Sequence, residues 1–181
     1  MLRRTFLIAA AATPAFAQAV PTGAEGDPRP RFYALINQPA PDFAFPKRGG
    51  GEARLGDYRG KTLILAFGGL WCPDCVRDGP NVNALSRLVA RDRRLAFLYL
   101  HTRDRFGRWG SVDAYFAEYG YDYPVAFDPS RTWARETYRI EWSPSYLIID
   151  PRGVIRAWRT DLESTGAHDF VAQAQTIAGA R

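Results

Sequence analysis

Short apolar runs and amphipathic stretches alternate along most of this chain. Four apolar runs of strand length lie between polar or turn-forming segments, and they predict strands at 61–67, 95–100, 124–127 and 146–149. Other stretches repeat apolar residues every three or four positions, and they predict helices around 82–89, 112–119 and 169–177, with a shorter helix at 131–138. Strands and helices therefore alternate through the middle of the chain.

Two further segments have the pattern of β-hairpins. Residues 42–45 alternate in polarity, and the three glycines 49–51 predict a turn before a second short strand at 53–55. Near the C-terminus, a turn at 150–153 joins the strand at 146–149 to an apolar run at 154–158. These last two strands are expected to pair antiparallel.

The order of these elements predicts the fold class. The strand at 61–67, the helix around 82–89 and the strand at 95–100 form a β-α-β unit, which packs as a right-handed parallel crossover. A hairpin precedes this unit, and a hairpin and a helix follow it. The prediction is therefore an α/β protein, built as a three-layer sandwich around one core.

The first residues have the pattern of an export signal. Arg3 and Arg4 precede a short apolar stretch that ends in a small-x-small site, so residues 1–17 are predicted to be a signal peptide. The stretch is far shorter than the ~18 residues that span a membrane, so a soluble, exported or periplasmic mature chain is expected. General secretion and the twin-arginine route both stay open. Residues 18–36 are rich in proline and glycine, and they predict a linker to a domain at 37–181.

The charge balance gives no indication of a nucleic-acid partner. The chain carries 24 basic and 19 acidic residues, and loss of the signal peptide would leave a net charge of about +3. No transmembrane segment is expected in the mature chain, and its length is sufficient for one core without disulfide support.

The strongest chemical signal is W-C-P-D-C at 71–75, which holds the only two cysteines of the chain. Where a strand leads directly into a helix, the first cysteine lies at the helix N-terminus, where free N–H groups stabilise a thiolate. A zinc site needs four ligands, and only His101 and His168 remain to supply them. Attached haem needs histidine at position 76, which is valine. A redox-active pair is therefore favoured over two inert buried cysteines.

With these elements in place, the chain resembles the thioredoxin superfamily, and within it the exported TlpA-like and ResA-like thiol-disulfide oxidoreductases. The resemblance covers about residues 37–178 and includes the redoxin type of domain found in AhpC/TSA proteins. Its landmarks are P-A-P-D-F at 39–43, L-x-D-Y-x-G-K at 55–61, the W-C-P-D-C motif, Pro80 and Pro144. It implies a thioredoxin-like sandwich with an N-terminal β-hairpin and an insertion before the central strand.

Each landmark also has a physical interpretation. Trp71 either shields the cysteine pair and contacts a partner or is simply a core aromatic residue, and the sequence does not decide between these roles. Pro80 is a structural residue that should bend its helix after the first turn. The resemblance implies that the Ser143–Pro144 peptide is cis, although most such bonds are trans, and that both residues bind substrate beside the cysteines.

Asp78 is the candidate for acid–base chemistry. It follows Cys75 by three residues, on a neighbouring helical face, where ResA-like proteins carry a glutamate. A partly buried carboxylate with a raised pKa would accept the proton of Cys75, which makes Asp78 a predicted catalytic residue with Cys72 and Cys75. The alternative is an acid that only complements the helix dipole. Cytoplasmic thioredoxins carry an acid where this chain has Ala66, and its loss here favours a role for Asp78.

The other polar residues predict less. His101 is interpreted as an ordinary loop or strand-end histidine, and His168 as a solvated residue before the last helix. The arginines at 103, 105 and 108 form a basic run with Phe106 and Trp109, for which a solvated loop is favoured over a partner surface.

The expected activity is reduction of protein disulfides by an exported dithiol enzyme. Its partners would be a protein thiol or disulfide substrate and, as the resemblance implies, a membrane electron donor; no dissociable cofactor or metal is expected. Two alternatives share the fold. A peroxiredoxin-like peroxidase would need threonine at position 69, which is glycine, and a Sco-like copper chaperone spaces its cysteines by three residues rather than two.

Overall fold

The first paired strands form a small hairpin in the computed structural model, which describes residues 28–130, 132–162 and 166–180. Strand β1 (Ala44–Pro46) pairs antiparallel with β2 (Glu52–Arg54), and glycines 49–51 between them all have positive φ angles, which glycine adopts without steric cost. The predicted N-terminal hairpin is confirmed. The predicted signal peptide, residues 1–17, lies outside the described residues.

A five-stranded mixed sheet is the middle layer. After one 3-10 turn, Leu55–Tyr58, its strands follow as β3 (Thr62–Gly68), β4 (Leu95–Thr102), β5 (Val125–Asp128), β6 (Ser145–Ile149) and β7 (Ile155–Arg159). They are ordered β5-β4-β3-β6-β7. The pairs β3–β4 and β4–β5 are parallel, whereas β3–β6 and β6–β7 are antiparallel. The predicted parallel crossover and C-terminal hairpin are both present.

The described part of the chain contains five helices. They are α1 (Pro73–Arg77), α2 (Gly79–Val89), α3 (Val112–Tyr119), α4 (Trp133–Tyr138) and α5 (Gly166–Gly179). The limits of α3 agree with the prediction because both ends carry capping residues: Ser111 Oγ accepts the Ala114 N–H at 3.0 Å, and Gly120 has a φ of 65°.

The central strand β3 is buried along its whole length, and its side chains divide between two cores. Ile64 and Ala66 face a core shared with α2, α3 and α5, while Leu63, Leu65 and Phe67 face one shared with the hairpin and α4. Successive residues of a strand point to opposite faces, so a fully apolar strand is the expected centre of three layers.

Part of the predicted linker belongs to the packed domain. Tyr33 is 6% exposed, stacks on Trp158 with ring centroids 5.7 Å apart, and donates its O–H to the Tyr138 carbonyl oxygen at 2.5 Å. Burying an aromatic ring and satisfying its hydroxyl offsets the entropy lost on ordering the segment, which composition alone did not reveal. The interpretation of residues 18–36 as linker therefore does not hold for the part around Tyr33.

The segment that includes the first hairpin strand reaches both outer strands of the sheet. At one edge the Asn37 N–H donates to Ile155 O and the Ala40 N–H donates to Gly153 O, each at 2.8 Å. At the other edge, Arg48 N–H donates to the Val125 carbonyl oxygen at 2.9 Å. Residues 37–48 thus lie against β7 and β5.

Across residues 28–130, 132–162 and 166–180, no helix has both the length and the apolar character needed to cross a membrane.

Candidate active site

The cysteine pair lies just beyond the C-terminal end of β3. Cys72 is the N-cap of α1 and Cys75 lies in its first turn, so the Cys75 backbone N–H donates to Cys72 Sγ at 3.3 Å. Pro73 occupies the start of the helix, where its missing N–H costs no intrahelical bond. The strand-to-helix junction therefore brings both sulfurs to a helix N-terminus, as the sequence predicted.

The pKa values distinguish the two cysteines. Hydrogen bonding with Cys75 lowers the pKa of the Cys72 thiol, against the opposing effects of burial and the Asp74 charge. Burial raises the pKa of the Cys75 thiol well above its ordinary value. At neutral pH the thiolate character is therefore concentrated on Cys72.

Exposure does not distinguish them. Helix geometry favours an exposed first cysteine and a protected second one, but each residue is 6% exposed. The Cys72 S–H lies against the Ser143 carbonyl oxygen at 3.5 Å, which covers it from the side of β6. The difference between the cysteines is thus one of thiolate stability, and a substrate sulfur must displace neighbouring atoms to reach Cys72.

The Ser143–Pro144 peptide bond is cis, as the resemblance implied. Pro144 is buried and Ser143 is half-buried, and both directly precede β6, which pairs with β3. The Ser143 carbonyl oxygen consequently lies beside the sulfur of Cys72. It is thus a backbone hydrogen-bond acceptor beside this sulfur.

Asp78 is buried between α1 and α2, where it caps the end of one helix and the start of the next. Its carboxylate accepts hydrogen bonds from Asn81 Nδ2 at 2.9 Å, the Tyr146 O–H at 2.5 Å and the Leu162 N–H at 3.2 Å. Burial nevertheless raises the pKa of Asp78, because its effect exceeds that of the three donors. The Asp78 charge in turn raises the pKa of Cys75, so the two groups interact.

Tyr146 is the site residue that sequence reasoning missed. It is 0% exposed and lies two residues beyond Pro144, and its hydroxyl is satisfied by the Asp78 carboxylate. The sequence did contain a signal for it. A tyrosine buried in an otherwise apolar run requires a hydrogen-bond partner for its hydroxyl. The identity of that partner, 68 residues earlier in the chain, was not visible in the sequence.

Pro80 lies in the first turn of α2, and its side chain is exposed. The helix that follows the cysteines is divided at Asp78, two residues before this proline, since α1 ends at Arg77 and α2 begins at Gly79. Proline is tolerated there because the first N–H groups of a helix have no intrahelical partner. The division turns the Asp78 carboxylate inward.

Trp71 is half-buried and fixed by its neighbours. Its Nε1–H donates to the Thr102 carbonyl oxygen at 2.5 Å, and the Arg103 guanidinium lies 4.1 Å from the ring centroid. A side chain on Gly69 would meet the Trp71 ring nitrogen at 2.4 Å, so glycine is required beneath it. Trp71 is therefore neither a free surface residue nor a member of the main core.

His101 differs from its prediction as an ordinary loop or strand-end histidine. It lies in β4, is 2% exposed and stacks on Phe106 with centroids 4.8 Å apart. Its Nε2 accepts the Leu70 N–H at 3.0 Å, and burial lowers the pKa of the imidazole to about 4. A neutral His101 thus holds the loop that leads to Cys72. Its place in the alternation of Phe97, Tyr99 and His101, which puts all three on the same face of a strand, was the available signal.

His168, in contrast, is exposed on α5, in keeping with its interpretation as a solvated residue.

A small pocket lies behind Cys75. Its lining includes Cys75, Tyr99 and His101. Gly68 makes this arrangement possible, because a Cβ at that position would lie 2.3 Å from the Tyr99 hydroxyl and 2.9 Å from Cys75 Sγ. The last residue of β3 must therefore be glycine for the sulfur and the hydroxyl to approach each other.

Replacement of Gly68 with alanine is expected to lower the free energy of unfolding by about 1–3 kcal/mol, because the added methyl group overpacks a closed site. Chemical denaturation measures the change. Gly56→Ala is the matched control, since a Cβ there meets nothing within 4 Å. Equal stability of the two variants would contradict the packing at Gly68.

The residues brought together can perform thiol chemistry but do not form a metal centre. Among the described residues, no group of three or more histidine, cysteine, aspartate or glutamate side chains is arranged to hold an ion. His101 does not supply a free imidazole nitrogen at Nε2, because that atom accepts the Leu70 N–H. A thiolate, a protected thiol and a carboxylate with a raised pKa are the parts of a dithiol–disulfide exchange site.

Comparison with known proteins gives the same assignment. The AhpC/TSA family profile matches residues 36–158. The thiol-disulfide oxidoreductase ResA of Geobacillus kaustophilus is 28% identical over 121 residues, which are 67% of each chain. The thioredoxin-like protein YneN of Bacillus subtilis is 27% identical over 119 residues, 66% of this chain and 68% of that protein. The crystal structure of a thiol:disulfide interchange protein of the thioredoxin family from Chlorobium tepidum superposes with a TM-score of 0.62 at 22% identity, covering 78% of this chain and 96% of that one.

Proposed function

Because the chain belongs to the AhpC/TSA family and has a thioredoxin-like fold, we propose that it is an exported, soluble thiol-disulfide oxidoreductase that reduces disulfides in protein substrates. The carrying observation is the contrast between Cys72, whose pKa is lowered, and Cys75, whose pKa is raised, at one helix N-terminus. This difference in pKa suits a reaction in which the Cys72 sulfur attacks first and the Cys75 sulfur attacks later.

The reaction has two exchange steps. The Cys72 thiolate attacks one sulfur of the substrate disulfide and forms a mixed disulfide, while the other substrate sulfur leaves as a thiolate. Cys75 then transfers its proton to Asp78 and attacks Cys72 Sγ, which releases the second substrate sulfur and closes the Cys72–Cys75 disulfide. Two electrons pass from the enzyme dithiol to the substrate.

The neighbouring residues orient the substrate. The Ser143 carbonyl oxygen would accept a backbone N–H of the substrate, Pro144 would hold that carbonyl in place, and Trp71 would pack against the chain beside the disulfide. Tyr146 holds the Asp78 carboxylate during the second step.

Regeneration requires an external dithiol. An exported enzyme works in an oxidising compartment, where its disulfide would accumulate unless a donor reduced it. We assign this role to a membrane-embedded electron donor, to which the protein would present the same cysteine face. Re-reduction needs no dissociable cofactor on this chain.

Reduction of insulin by the pre-reduced protein tests this function, with Cys75→Ser as the informative variant. The wild type is expected to precipitate the insulin B chain, and Cys75→Ser is expected to accumulate a covalent adduct with one insulin chain. Failure of both to react would contradict the assignment.

A peroxidase function has less support on this fold. Peroxidases of the related kind carry threonine three residues before the attacking cysteine, and a side chain on Gly69 would collide with the Trp71 ring. A peroxide-consumption assay with dithiol reductants discriminates between the two functions. Peroxide consumption as fast as insulin reduction would favour the peroxidase function.

The reduction potential of the pair is expected to lie nearer the thioredoxin value of about −270 mV than the about −120 mV of the oxidant DsbA. Pro73 offers no N–H to the Cys72 thiolate, and the Asp74 charge raises the pKa of Cys72 against the hydrogen bonds that lower it. A moderately stabilised thiolate leaves the disulfide stable. Equilibration with glutathione or thioredoxin buffers measures the potential, and a value above about −180 mV would overturn the direction of electron flow.

A further inference from the structure

The loop that follows β4 holds an arginine against the tryptophan next to Cys72. The Arg103 guanidinium lies 4.1 Å from the centroid of the Trp71 ring, and the carbonyl of the preceding residue, Thr102, accepts the Trp71 Nε1–H. Consecutive residues thus contact one tryptophan at its face and at its edge. Since Trp71 directly precedes Cys72, this guanidinium lies at the rim of the candidate active site.

The backbone fixes this position. Arg103 has a φ of 65°, which residues other than glycine, asparagine and aspartate seldom adopt, and its carbonyl oxygen accepts the Arg105 N–H at 3.0 Å. The loop turns sharply at Arg103 and places this side chain on the ring. An arginine free in solvent would not require such a backbone.

Positive charges outnumber negative charges at this rim. Within the described residues, neither Arg103 nor Arg105 forms an ion pair, whereas Arg108 of the same loop pairs with Glu118. Asp104 supplies one opposing charge between the two arginines. On the other side of Cys72, Asp74 and Arg77 pair at 2.8 Å and largely cancel. The rim therefore carries net positive charge.

Stacking leaves the hydrogen-bonding edge of a guanidinium available. An arginine on an aromatic face keeps its N–H fork in the ring plane of the guanidinium, and this fork matches a carboxylate in two parallel hydrogen bonds. Trp71 adds an apolar face to the same surface. A polypeptide with acidic side chains beside its disulfide complements both features.

We propose that Trp71, Arg103 and Arg105 form a docking surface, the basic rim, for an acidic segment of the protein substrate that flanks the disulfide attacked by Cys72. This inference rests on the proposed function and adds a preference among its substrates. Arg103 is the specificity residue of the rim, because its guanidinium is held on the ring of Trp71, the residue that directly precedes Cys72. Arg105, which is exposed, adds a second positive charge to this surface.

Three synthetic peptides, each closed by one disulfide, test the rim. They differ only in the residues beside their cysteines, which are two glutamates, two glutamines or two lysines. The second-order rate constant for mixed-disulfide formation is measured with the Cys75→Ser protein at low and high salt. The glutamate peptide is expected to react about threefold to tenfold faster than the lysine peptide at low salt, and less than twofold faster at about 1 M salt.

Two substitutions in the Cys75→Ser protein distinguish the effect of the basic rim from the effect of the protein's overall charge. Arg103→Gln is expected to remove most of the preference for glutamate, whereas Arg93→Gln, which deletes the same charge before the opposite end of β4, is expected to keep it. The preference is expressed as the ratio of the glutamate to the glutamine rate constant within each protein, so a general change in reactivity does not count as a change in preference.

The outcomes distinguish this inference from the function on which it rests. If the glutamine peptide does not react at all, the proposed oxidoreductase function fails. If it reacts but the three peptides do so equally, or if Arg103→Gln keeps the preference, the basic rim is overturned and the oxidoreductase function stands.

Discussion

Replacement of Cys72 with serine is expected to abolish disulfide reduction, whereas Cys75→Ser retains the first exchange and stops at the mixed disulfide. The reason is that the pKa of Cys72 is lowered by hydrogen bonding with Cys75, while burial raises the pKa of Cys75. Only a thiolate attacks a disulfide, and near neutral pH each unit of separation in pKa is worth about tenfold in thiolate population.

Limited alkylation of the reduced protein followed by peptide mapping measures the same difference directly. Although both residues are 6% exposed, selectivity for Cys72 is expected because its thiol has the lowered pKa and that of Cys75 the raised one. The reaction is run over a range of pH, because a selectivity that follows ionisation narrows as pH rises toward the pKa of Cys75. Preferential modification of Cys75 would reverse the assignment of nucleophile and resolving cysteine.

The Asp78→Asn variant is expected to resolve the mixed disulfide about 10²–10⁴ times more slowly than the wild type while Cys72 attacks at a similar rate. Asp78 is the carboxylate whose charge acts on Cys75, and asparagine cannot accept the thiol proton. Single-turnover mixing of a preformed mixed disulfide isolates the resolving step. Equal resolution rates would leave Asp78 with only a structural role as the acceptor of the hydrogen bonds from Asn81, Tyr146 and Leu162.

Asp74→Asn is the matched control in the same helix. The Asp74 charge raises the pKa of Cys72, so its removal is expected to change the rate of the first exchange and to leave the rate of the resolving step unaltered. Effects on different steps of the reaction, from two neutralised acids four residues apart, would distinguish a proton acceptor from a general change in charge.

Tyr146→Phe tests whether the tyrosine positions Asp78. Its hydroxyl stabilises the carboxylate, so its loss is expected to raise the pKa of Asp78 further and to shift the pH dependence of the resolving step to higher pH.

The pH dependence of stability shows whether folding raises or lowers the pKa of Asp78. A folded-state pKa above the unfolded value means that the folded state binds the proton more tightly. The unfolding free energy of the wild type should then fall relative to Asp78→Asn as pH rises from the unfolded-state pKa of about 4 through the folded-state pKa.

The fold could be predicted because its signals are local. The buried strand β3 is a continuous apolar run, α3 has a serine before it and a glycine after it, and the hairpin turn is three glycines. Each of these patterns has one physical interpretation over a few residues. The packing of Tyr33 was missed because it depends on Trp158, far along the chain.

The site was predicted only as far as helix geometry reaches. Cys72, Cys75 and Asp78 follow from spacing on one helical segment, but two of the three donors that hold Asp78 come from β6 and from Leu162, 84 residues away. His101 was interpreted as an unremarkable histidine because nothing beside it in the sequence shows that its Nε2 accepts the Leu70 N–H. Long-range partners decide whether a polar residue is solvated or holds an active-site loop in place.

The contacts of residues 37–48 with β7 and β5 bear on association between molecules. Outer strands with unpaired N–H and C=O groups recruit strands from other chains, and proteins avoid this by covering them. Here a single stretch near the hairpin occupies backbone groups at Ile155 and Gly153 on one side and at Val125 on the other. A version of the protein that begins after residue 48 would keep both cysteines but would offer two open templates for intermolecular strand addition.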